Sequence, residues 1–557
     1  MTTRLFLLGL PGSGKTAVGR AVAEMLGWRF MDTDDIIEER TGVSIERLFA
    51  EAGEDGFRGA EAEALLDAAR AGRVVIATGG GVVVRSGNRA LMRDAGWRVT
   101  LAVSPDVALA RLGATTPGDP PGARPRTRPL LVGDNPLARL EAIRAARQAF
   151  YAEADATVPT DGLAVMEVAG RVVAELVVRG ELPGPADARV TRVRGGPYNG
   201  YDAVVEWGGM ARIGERLAGL GLPPRTHIVA DARVAALYGA GVIANLAAAG
   251  FEAAMFVVAA GEVSKSRDSL AAIEDWLITC RAERREAVVA LGGGMVGDLA
   301  GFAAATYLRG VPFIQVPTTL LAQVDASIGG KVGINHPLGK NLLGAFHPPR
   351  MVLADPAVLV TLARRMRIEG WAEVVKHGVA LDARYFADLE RDVEHLRAFS
   401  PDHVTAAIAG SVRIKGGVVG DDERESDDGR RLLLNYGHTI GHALEATAGY
   451  GTWAHGEAVA IGMAAAARIG QALGVTPPDV VARQDALLEA LGLPMRCPDV
   501  PARALMRAAL WDKKVRGGRV RWVLISRLGE ARVVENVPDD VVRSALLEIG
   551  AYGDAGE

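Results

Sequence analysis

The stretch Arg4–Thr16, RLFLLGLPGSGKT, joins an apolar run to a glycine-rich loop. Gly9 to Thr16 match the pattern G-x-x-x-x-G-K-[ST], with a predicted strand before it and a predicted helix from Lys15 onward. In such a loop the backbone N–H groups bind phosphates, the lysine reaches the β- and γ-phosphates, and the hydroxyl holds Mg²⁺. The pattern therefore predicts a nucleotide and Mg²⁺ site formed by Gly12, Ser13, Gly14, Lys15, Thr16 and Ala17.

The alternation of strand and helix continues from this loop to about residue 180, which predicts a small parallel α/β domain. The cluster ELPGPADA at 181–188 interrupts the pattern, and a second α/β region follows through AVVEWGG, THIVADARV and EAVVALGGG. Beyond about Leu362 the pattern is mainly helical, with one late hairpin, RVRWVLISRLGEARVVENV. We predict an α/β protein with a domain at 1–180, a linker at 181–195, an α/β domain at 196–360 and a mainly helical domain at 361–557.

Composition excludes several classes of protein. The 557 residues are 49% hydrophobic and 23% charged, with a net charge of −4, so neither disorder nor a nucleic-acid or membrane partner is expected. Two cysteines are too few for a disulfide framework, which favours the cytoplasm. The longest apolar stretch, Gly239–Gly261, contains Asn245 and Glu252, and it predicts a helix, a turn and a buried strand rather than a membrane span.

Carboxylates and arginines follow the phosphate loop at separate positions. Asp32 and Asp34 come after the second predicted strand, where they could bind Mg²⁺ through water, hold a polyhydroxylated acceptor or cap the next helix. Arg58, Arg128 and Arg147 add cations, and ATGGG at 77–81 adds a tight turn at a strand end. A single arginine is usually a solvated surface residue. The prediction of a site therefore rests on the joint occurrence of these residues in this order along the chain.

The motifs FxDxD, GFR, ATGGG, RPLL and R-x-x-x-Y occur in this order, and over roughly residues 1–175 the chain resembles shikimate kinase. The resemblance implies ATP as phosphate donor, catalysis by Lys15 and Asp34, and shikimate bound by Asp34, Arg58, Gly80 and Arg147. It also implies a lid over ATP that carries Arg128, although the stretch at 113–131 is longer than expected and leaves Arg124 and Arg126 as alternatives. Another small metabolite kinase with the same loop is the rival interpretation.

A histidine cluster marks the second half of the chain. NYGHTIGHALEATAGYGTWAHGE at 435–457 contains His438, His442 and His455, with the first two spaced for one helical face. A catalytic zinc usually takes three protein ligands, and Glu373 in GWAEVVKHG can supply the third. We predict a metal site of Glu373, His438 and His455, which leaves His442 as a substrate contact or proton relay.

Glycine-rich loops precede this cluster. LGGGMVGD at 291–298 follows a strand, where glycines allow close approach of a pyrophosphate. The polar region at 302–349 is punctuated by glycine, and such loops usually carry binding residues. Its candidates are Arg309, Thr318, Thr319, Asp325, Lys331, Lys340 and Asn341.

Through GGGMVGD, RGVPFIQVPTTLLAQVDASIGGK, GKN, AEVVKHG, LLLNYGHTIGHALE and HGEAVAIGM, the chain from about 195 to 557 resembles 3-dehydroquinate synthase. The resemblance implies a divalent metal, Zn²⁺ or Co²⁺, on the predicted metal residues. It implies NAD bound by Gly261, Glu262, Lys265, Gly294, Met295, Val296, Gly297, Asp298, Thr318, Thr319, Lys331 and Lys340.

By the same resemblance, catalysis involves Asp325, Lys331, Lys376, Arg431 and His442, and the substrate also contacts Asn341 and Asn435. The implied substrate is 3-deoxy-D-arabino-heptulosonate 7-phosphate. Arg309 would reach the substrate phosphate of the neighbouring subunit in a homodimer, and Lys513 or Lys514 would be a further phosphate contact.

Two rivals remain for the second half. A metal-dependent polyol or alcohol dehydrogenase shares the NAD and metal features, but a simple alcohol needs no grouping such as Arg309, Lys331, Lys376 and Arg431. A non-catalytic fusion would be expected to lack motif residues, and neither half does. The sequence therefore predicts a bifunctional enzyme of aromatic amino-acid biosynthesis.

Overall fold

The computed structural model describes residues 2–113, 135–196, 199–426, 429–449, 451–510, 515–516 and 519–553. The chain forms two compact units that divide between Pro183 and Gly184. Each unit has its own sheet and its own buried core.

The first unit contains a five-stranded parallel sheet in the order β2-β3-β1-β4-β5. Its strands are β1 (Arg4–Leu8), β2 (Arg29–Asp32), β3 (Val74–Ala77), β4 (Trp97–Ala102) and β5 (Ala156–Pro159). Its helices are α1 (Lys15–Leu26), α2 (Thr33–Thr41), α3 (Ile45–Ala68), α4 (Ser86–Ala95), α5 (Pro105–Leu112), α6 (Pro136–Tyr151) and α7 (Val165–Val178).

The central strands of this sheet are apolar because helices cover them. Phe6 in β1 and Ile76 in β3 are fully buried in one core cluster. Parallel strands place their carboxyl ends at one edge, so the loops after β1, β2 and β3 converge there. The predicted phosphate loop, the Asp32–Asp34 segment and the ATGGG turn therefore share an edge.

The second unit begins with a seven-stranded sheet in the order β6-β7-β14-β11-β10-β8-β9, parallel except for the β6–β7 pair. The strands of this region are β6 (Arg189–Val193), β7 (Tyr201–Val205), β8 (Arg225–Asp231), β9 (Glu252–Val258), β10 (Ala287–Gly292), β11 (Phe313–Pro317), β12 (Lys331–His336), β13 (Gly339–Phe346) and β14 (Met351–Ala354); β12 and β13 form a separate antiparallel hairpin. Its helices are α8 (Ile213–Ala218), α9 (Ala232–Val234), α10 (Ala240–Ala248), α11 (Arg267–Thr279) and α12 (Gly294–Thr306).

The prediction of a buried strand within Gly239–Gly261 is wrong in one respect. Helix α10 and strand β9 form as predicted, but β9 is an edge strand in which Val258 alone is buried. An edge strand has one neighbour and one open side, so apolar residues along it stay partly exposed.

Helices dominate after Leu362, as predicted. They are α13 (Arg364–Leu381), α14 (Ala383–Arg391), α15 (Val393–Arg397), α16 (Pro401–Asp421), α17 (His438–Thr447), α18 (His455–Ala472), α19 (Pro478–Ala490), α20 (Ala502–Leu510) and α21 (Asp539–Glu548). Two antiparallel strand pairs lie among them, β15 (Val515–Arg516) with β16 (Arg519–Val520) and β17 (Trp522–Arg527) with β18 (Glu530–Val534). The second pair confirms the predicted late hairpin.

Helix α13 is buried on all sides from Glu369 to Ala380, although this run contains two glutamates, a lysine and a histidine. Charged groups are rarely buried unless they are paired or functional, so α13 points to a site. Among the helices within the described ranges, none has both the length and the apolar content needed to cross a membrane.

Candidate active sites

The phosphate loop of the first unit has the backbone geometry that its glycines permit. Gly12 and Gly14 have φ values of +82° and +88°, and Gly14 precedes α1 without a side-chain cap on the helix. The Lys15 ammonium group donates to the carbonyl oxygens of Gly9 and Leu10, each at 2.9 Å, which holds the side chain over the loop. The first turn of α1 thus presents uncapped amides and a cation to a phosphate chain.

Asp32 caps the next helix, which is one of the roles considered for it. Its carboxylate caps α2 by accepting from the Asp34 N–H at 3.0 Å, and it accepts from the Thr16 hydroxyl at 2.8 Å. Burial, reinforced by the Asp34 carboxylate, raises the pKa of Asp32 to about 6. A hydroxyl beside a carboxylate is the oxygen-rich environment that Mg²⁺ prefers, so Thr16 and Asp32 fit this ion.

Arg58 is held in the interior of the first unit by two carboxylates of its own helix. Its guanidinium is 7% exposed and donates to Glu61 at 2.8 Å and to Glu54 at 3.1 Å. One Glu61 oxygen is buried without a hydrogen bond, and burial raises the pKa of Glu61 despite the neighbouring Arg58. The sequence reasoning missed Glu61, although its spacing of three residues from Arg58 on a helix is a usable signal.

The ATGGG turn brings the predicted acceptor residues together. Arg147 donates to the Gly80 carbonyl at 2.9 Å, and the Tyr151 hydroxyl donates to the same oxygen at 2.6 Å. A side chain at Gly81 would collide with the Arg58 guanidinium, and one at Gly79 would lie 3.3 Å from an Asp34 oxygen. Asp34, Arg58 and Arg147 therefore all adjoin the ATGGG turn that contains Gly80. The residues proposed for the lid, Arg124, Arg126 and Arg128, lie outside the described residues, as do Lys513 and Lys514.

In the second unit, three helices bring the predicted metal residues together. Glu373 lies in the middle of α13, while His438 and His455 are the first residues of α17 and α18. Glu373 Oε1 is 3.5 Å from His438 Nε2 and 3.7 Å from His455 Nε2. The His442 ring lies beside them, with its centroid 5.3 Å from that of His438.

This arrangement fits a divalent cation. Glu373 is fully buried, and neither of its oxygens has a well-aligned hydrogen bond, although the Lys376 ammonium contacts Oε2. Burial would lower the pKa of His455, but Glu373 and Glu445 raise it to about 10, so these carboxylates strongly favour positive charge at this point. Two imidazoles and one carboxylate are also the donor set of an open catalytic zinc site.

Cationic side chains lie next to the metal residues. Lys415 on α16 donates to the Asp325 carboxylate and carbonyl oxygens, each at 2.5 Å. Burial would raise the pKa of Asp325, but the ammonium groups of Lys415 and Lys376 hold it well below its usual range. Arg431 is 4% exposed and donates to the Glu423 carbonyl at 2.7 Å. Buried cations therefore lie beside the predicted metal residues, each paired with a carboxylate or a carbonyl oxygen.

Three residues near this pocket were missed by the sequence reasoning. Lys415 and His377 are buried, and Glu425 pairs with Lys331. His377 Nδ1 is 2.6 Å from the Ser411 hydroxyl, its Nε2 is buried without a partner, and burial together with Lys376 lowers its pKa to about 3. Lys415 and His377 are single charged residues on helices and Glu425 lies in a loop, so none gives a periodic signal and only the fold could identify them.

Several of the predicted dinucleotide residues lie where β10 and β11 end. Gly292 and Pro317 are in register, so Gly293 and Gly294 adjoin Thr318 and Thr319, and a side chain at Gly293 would lie 3.0 Å from Thr319. This space, which a Cβ atom would fill, fits the close approach of a pyrophosphate. Met295, Val296 and Gly297 form the first turn of α12, and because Val296 is 1% exposed, its side chain belongs to the core.

Lys265 connects this turn to the β12–β13 hairpin. It donates to Asp298 at 2.5 Å and also contacts Asn341. Asn341 thus lies among the predicted dinucleotide residues, although it was predicted to bind substrate. Glu262, which follows Gly261, accepts a hydrogen bond from the Asn335 side chain at 2.8 Å. Asn435 lies elsewhere, at the end of the turn that carries Arg431.

Arg309 is not brought into this cluster. It follows the C-terminus of α12, about 20 Å along the helix from Gly294, and it is exposed. Leu308 and Arg309 have φ values of +48° and +64°, an uncommon backbone for such residues.

Comparison with known proteins gives the same division of the chain. The family model of shikimate kinase matches residues 11–177, and the N-terminal and C-terminal models of 3-dehydroquinate synthase match residues 255–369 and 370–515. A 3-dehydroquinate synthase of Nostoc punctiforme is 45% identical over 353 residues, which is 63% of this chain and 97% of the relative. One of Gloeobacter violaceus is 47% identical over 351 residues, covering 63% and 96%.

Two solved structures resemble the chain at lower identity. The 2-epi-5-epi-valiolone synthase of Streptomyces hygroscopicus, with NAD⁺ and Zn²⁺ bound, is 30% identical with a TM-score of 0.58 and covers 63% of this chain and 96% of its own. A 2-deoxy-scyllo-inosose synthase complexed with carbaglucose-6-phosphate, NAD⁺ and Co²⁺ is 26% identical with a TM-score of 0.58, covering 64% and 99%. These matches identify the second unit as a synthase and not as the rival polyol or alcohol dehydrogenase. The chain belongs to the 3-dehydroquinate synthase family, and a shikimate kinase domain forms its first unit.

Proposed function

We propose that one polypeptide carries out two reactions of the shikimate pathway. The first unit transfers a phosphoryl group from ATP to shikimate, giving 3-phosphoshikimate. The second converts 3-deoxy-D-arabino-heptulosonate 7-phosphate into 3-dehydroquinate and phosphate. The observation that carries the proposal is that one chain places Arg58 and Arg147 at the ATGGG turn and also holds a Glu373, His438 and His455 cluster beside buried cations.

In the kinase reaction, Lys15 and the amides of the loop hold the phosphates of ATP, and Thr16 and Asp32 hold Mg²⁺. Arg58 and Arg147 bind the carboxylate of shikimate, and Asp34 accepts the proton of the attacking hydroxyl. Glu61 keeps Arg58 in place through an ion pair that is shielded from water.

In the synthase reaction, Glu373, His438 and His455 hold the divalent metal, and the glycine turn after β10 holds NAD. When bound, NAD supplies a transient hydride acceptor and the metal a Lewis acid for neighbouring hydroxyls. Lys376, Lys415 and Arg431 neutralise the carboxylate and phosphate of the substrate and stabilise the departing phosphate. His442 lies beside the metal residues, where it can move a proton to or from the substrate.

We further propose that the enzyme is a cytoplasmic homodimer. Arg309 lies about 20 Å along α12 from Gly294, on an exposed turn with an uncommon backbone, and we assign it to the substrate phosphate of a second subunit. The two free cysteines suit a reducing compartment. Sedimentation of the purified chain tests the assembly, and the KM of Arg309→Ala for the phosphorylated heptulosonate tests the reach of this residue.

Two assays on one preparation test the pair of activities. Shikimate should stimulate formation of ADP from ATP. The phosphorylated heptulosonate should release phosphate even when the concentration of NAD is far below that of the substrate. Because the oxidation is reversed within each turnover, NADH should not accumulate. Stoichiometric build-up of NADH would instead identify a net dehydrogenase.

Two substitutions test whether the sites are separate. Lys15→Ala should remove shikimate phosphorylation and leave phosphate release intact, and His455→Ala should do the reverse. Loss of both activities in either variant would contradict independent sites. Chelation should inactivate the synthase even when Mg²⁺ is restored, since Mg²⁺ prefers oxygen ligands to imidazole.

A further inference from the structure

Glu445, a residue of α17, contacts both a predicted metal ligand and a predicted dinucleotide residue. We propose that Glu445 is a positioning residue that couples the metal site to the NAD site of the second unit, so that each cofactor strengthens the binding of the other. The inference rests on the proposed function, because it takes His455 as a metal ligand and the Lys340 hairpin as part of the NAD site.

One oxygen of Glu445 positions His455. His438, His442 and Glu445 follow each other at spacings of four and three residues, which places them on one face of α17. Glu445 Oε2 is 3.2 Å from His455 Nδ1, while His455 Nε2 lies 3.7 Å from Glu373 Oε1. A carboxylate on the far nitrogen of a ligating imidazole fixes its tautomer and ring orientation and raises its basicity.

The other oxygen of Glu445 holds the hairpin. Glu445 Oε1 is 3.2 Å from the Lys340 ammonium on β13, and the next residue, Asn341, contacts Lys265, which in turn pairs with Asp298 on α12. The Glu445 side chain is 11% exposed, so this pair is stronger than a pair on the surface. A continuous set of contacts therefore runs from the metal residues to the glycine turn of the dinucleotide site.

The shared carboxylate makes the coupling favourable in both directions. A metal on His455 Nε2 leaves the proton on Nδ1, where it donates to Glu445 and fixes the carboxylate in the position that Lys340 needs. A dinucleotide that orders the hairpin holds Lys340 and Glu445 in place, and so orients His455 for the metal. Coupling between two binding sites is reciprocal by thermodynamic necessity and typically reaches about 5- to 150-fold.

The test measures binding without substrate, on the full chain stripped of metal by a chelator. The affinity for Zn²⁺ is obtained by competition with a chromophoric chelator, and that for NAD by calorimetry with and without saturating Zn²⁺. We expect Zn²⁺ to tighten NAD binding by about tenfold in the wild type. Glu445→Gln should weaken Zn²⁺ binding by about 10- to 100-fold and reduce the coupling factor to about one.

Two further variants separate the steps. Lys340→Met should keep the wild-type affinity for Zn²⁺ when NAD is absent but lose the coupling, because it breaks the contact of the hairpin with Glu445 and leaves the contact of Glu445 with His455. Glu394→Gln removes the same charge from an exposed helix and should change neither quantity. Circular dichroism shows whether each variant is folded.

Persistence of the tenfold coupling in Glu445→Gln, or its absence from the wild type, would overturn the inference. Failure of the wild type to bind NAD or Zn²⁺ at all would instead overturn the proposed function.

Discussion

At the scale of single residues, we propose that Arg147 helps the kinase unit to hold its acceptor. Its guanidinium and the Tyr151 hydroxyl meet on the Gly80 carbonyl. Arg147→Lys removes the planar fork but keeps the charge, so we expect the KM for shikimate to rise by about 10- to 100-fold. Tyr151→Phe should have a smaller effect, since Arg147 still satisfies the carbonyl. Steady-state kinetics check both variants, and phosphate release by the synthase unit of the same samples is the control.

His377 gives a prediction of pH dependence at the same scale. Burial and Lys376 lower its pKa from 6.5 to about 3, so below pH 6.5 the unfolded chain binds a proton that the folded chain does not. The contribution of His377 to the free energy of unfolding is therefore full above pH 6.5 and falls as the pH decreases toward 3, by about 2 kcal/mol at pH 5.

The comparison with His377→Gln isolates this contribution. The Gln variant lacks the titration, so its stability relative to the wild type should improve by about 2 kcal/mol between pH 7.5 and pH 5. Urea unfolding in the presence of a chelator measures this difference without a contribution from bound metal. A difference that is the same at both pH values would contradict the prediction.

At the scale of elements, we expect the predicted metal residues to depend on how closely α17 and α18 pack. Gly462 on α18 leaves no room for a side chain, because a Cβ atom there would lie 2.9 Å from the Gly437 carbonyl carbon and the Gly441 amide nitrogen. Gly462→Ala should push the helices apart, reduce the free energy of unfolding by about 1–3 kcal/mol and weaken Zn²⁺ binding. Gly417→Ala on α16 meets no atom within 4 Å and should be neutral or stabilising by up to about 1 kcal/mol. Denaturant unfolding and chelator competition compare the two variants, and equal effects would contradict the role of this contact.

The same elements show how much the sequence could predict. The helix that begins at Lys15 and the late hairpin were predicted because a loop motif and alternating residues mark them. The Glu373, His438 and His455 cluster was assembled from spacing and ligand chemistry. Glu445 and Lys415 were not found, because each is one charged residue on a helix and its role depends on another element that packs against it. The exposed edge of β9 also depends on strand order, which hydrophobicity alone does not reveal.

At the scale of the whole molecule, the two units should bind their ligands and unfold independently. The match to the shikimate kinase family model lies wholly within the first unit. The two synthase relatives match 63% of this chain but 97% and 96% of their own lengths. Nearly the whole length of these relatives is therefore matched without the kinase unit. Calorimetry of the full chain should therefore show two transitions. Shikimate with ADP should raise the temperature of one transition, and Zn²⁺ with NAD that of the other. Each shift should correspond to about 2.7 kcal/mol in the free energy of unfolding at a ligand concentration one hundred times Kd. A ligand of one unit that moved both transitions would show that the units are energetically coupled.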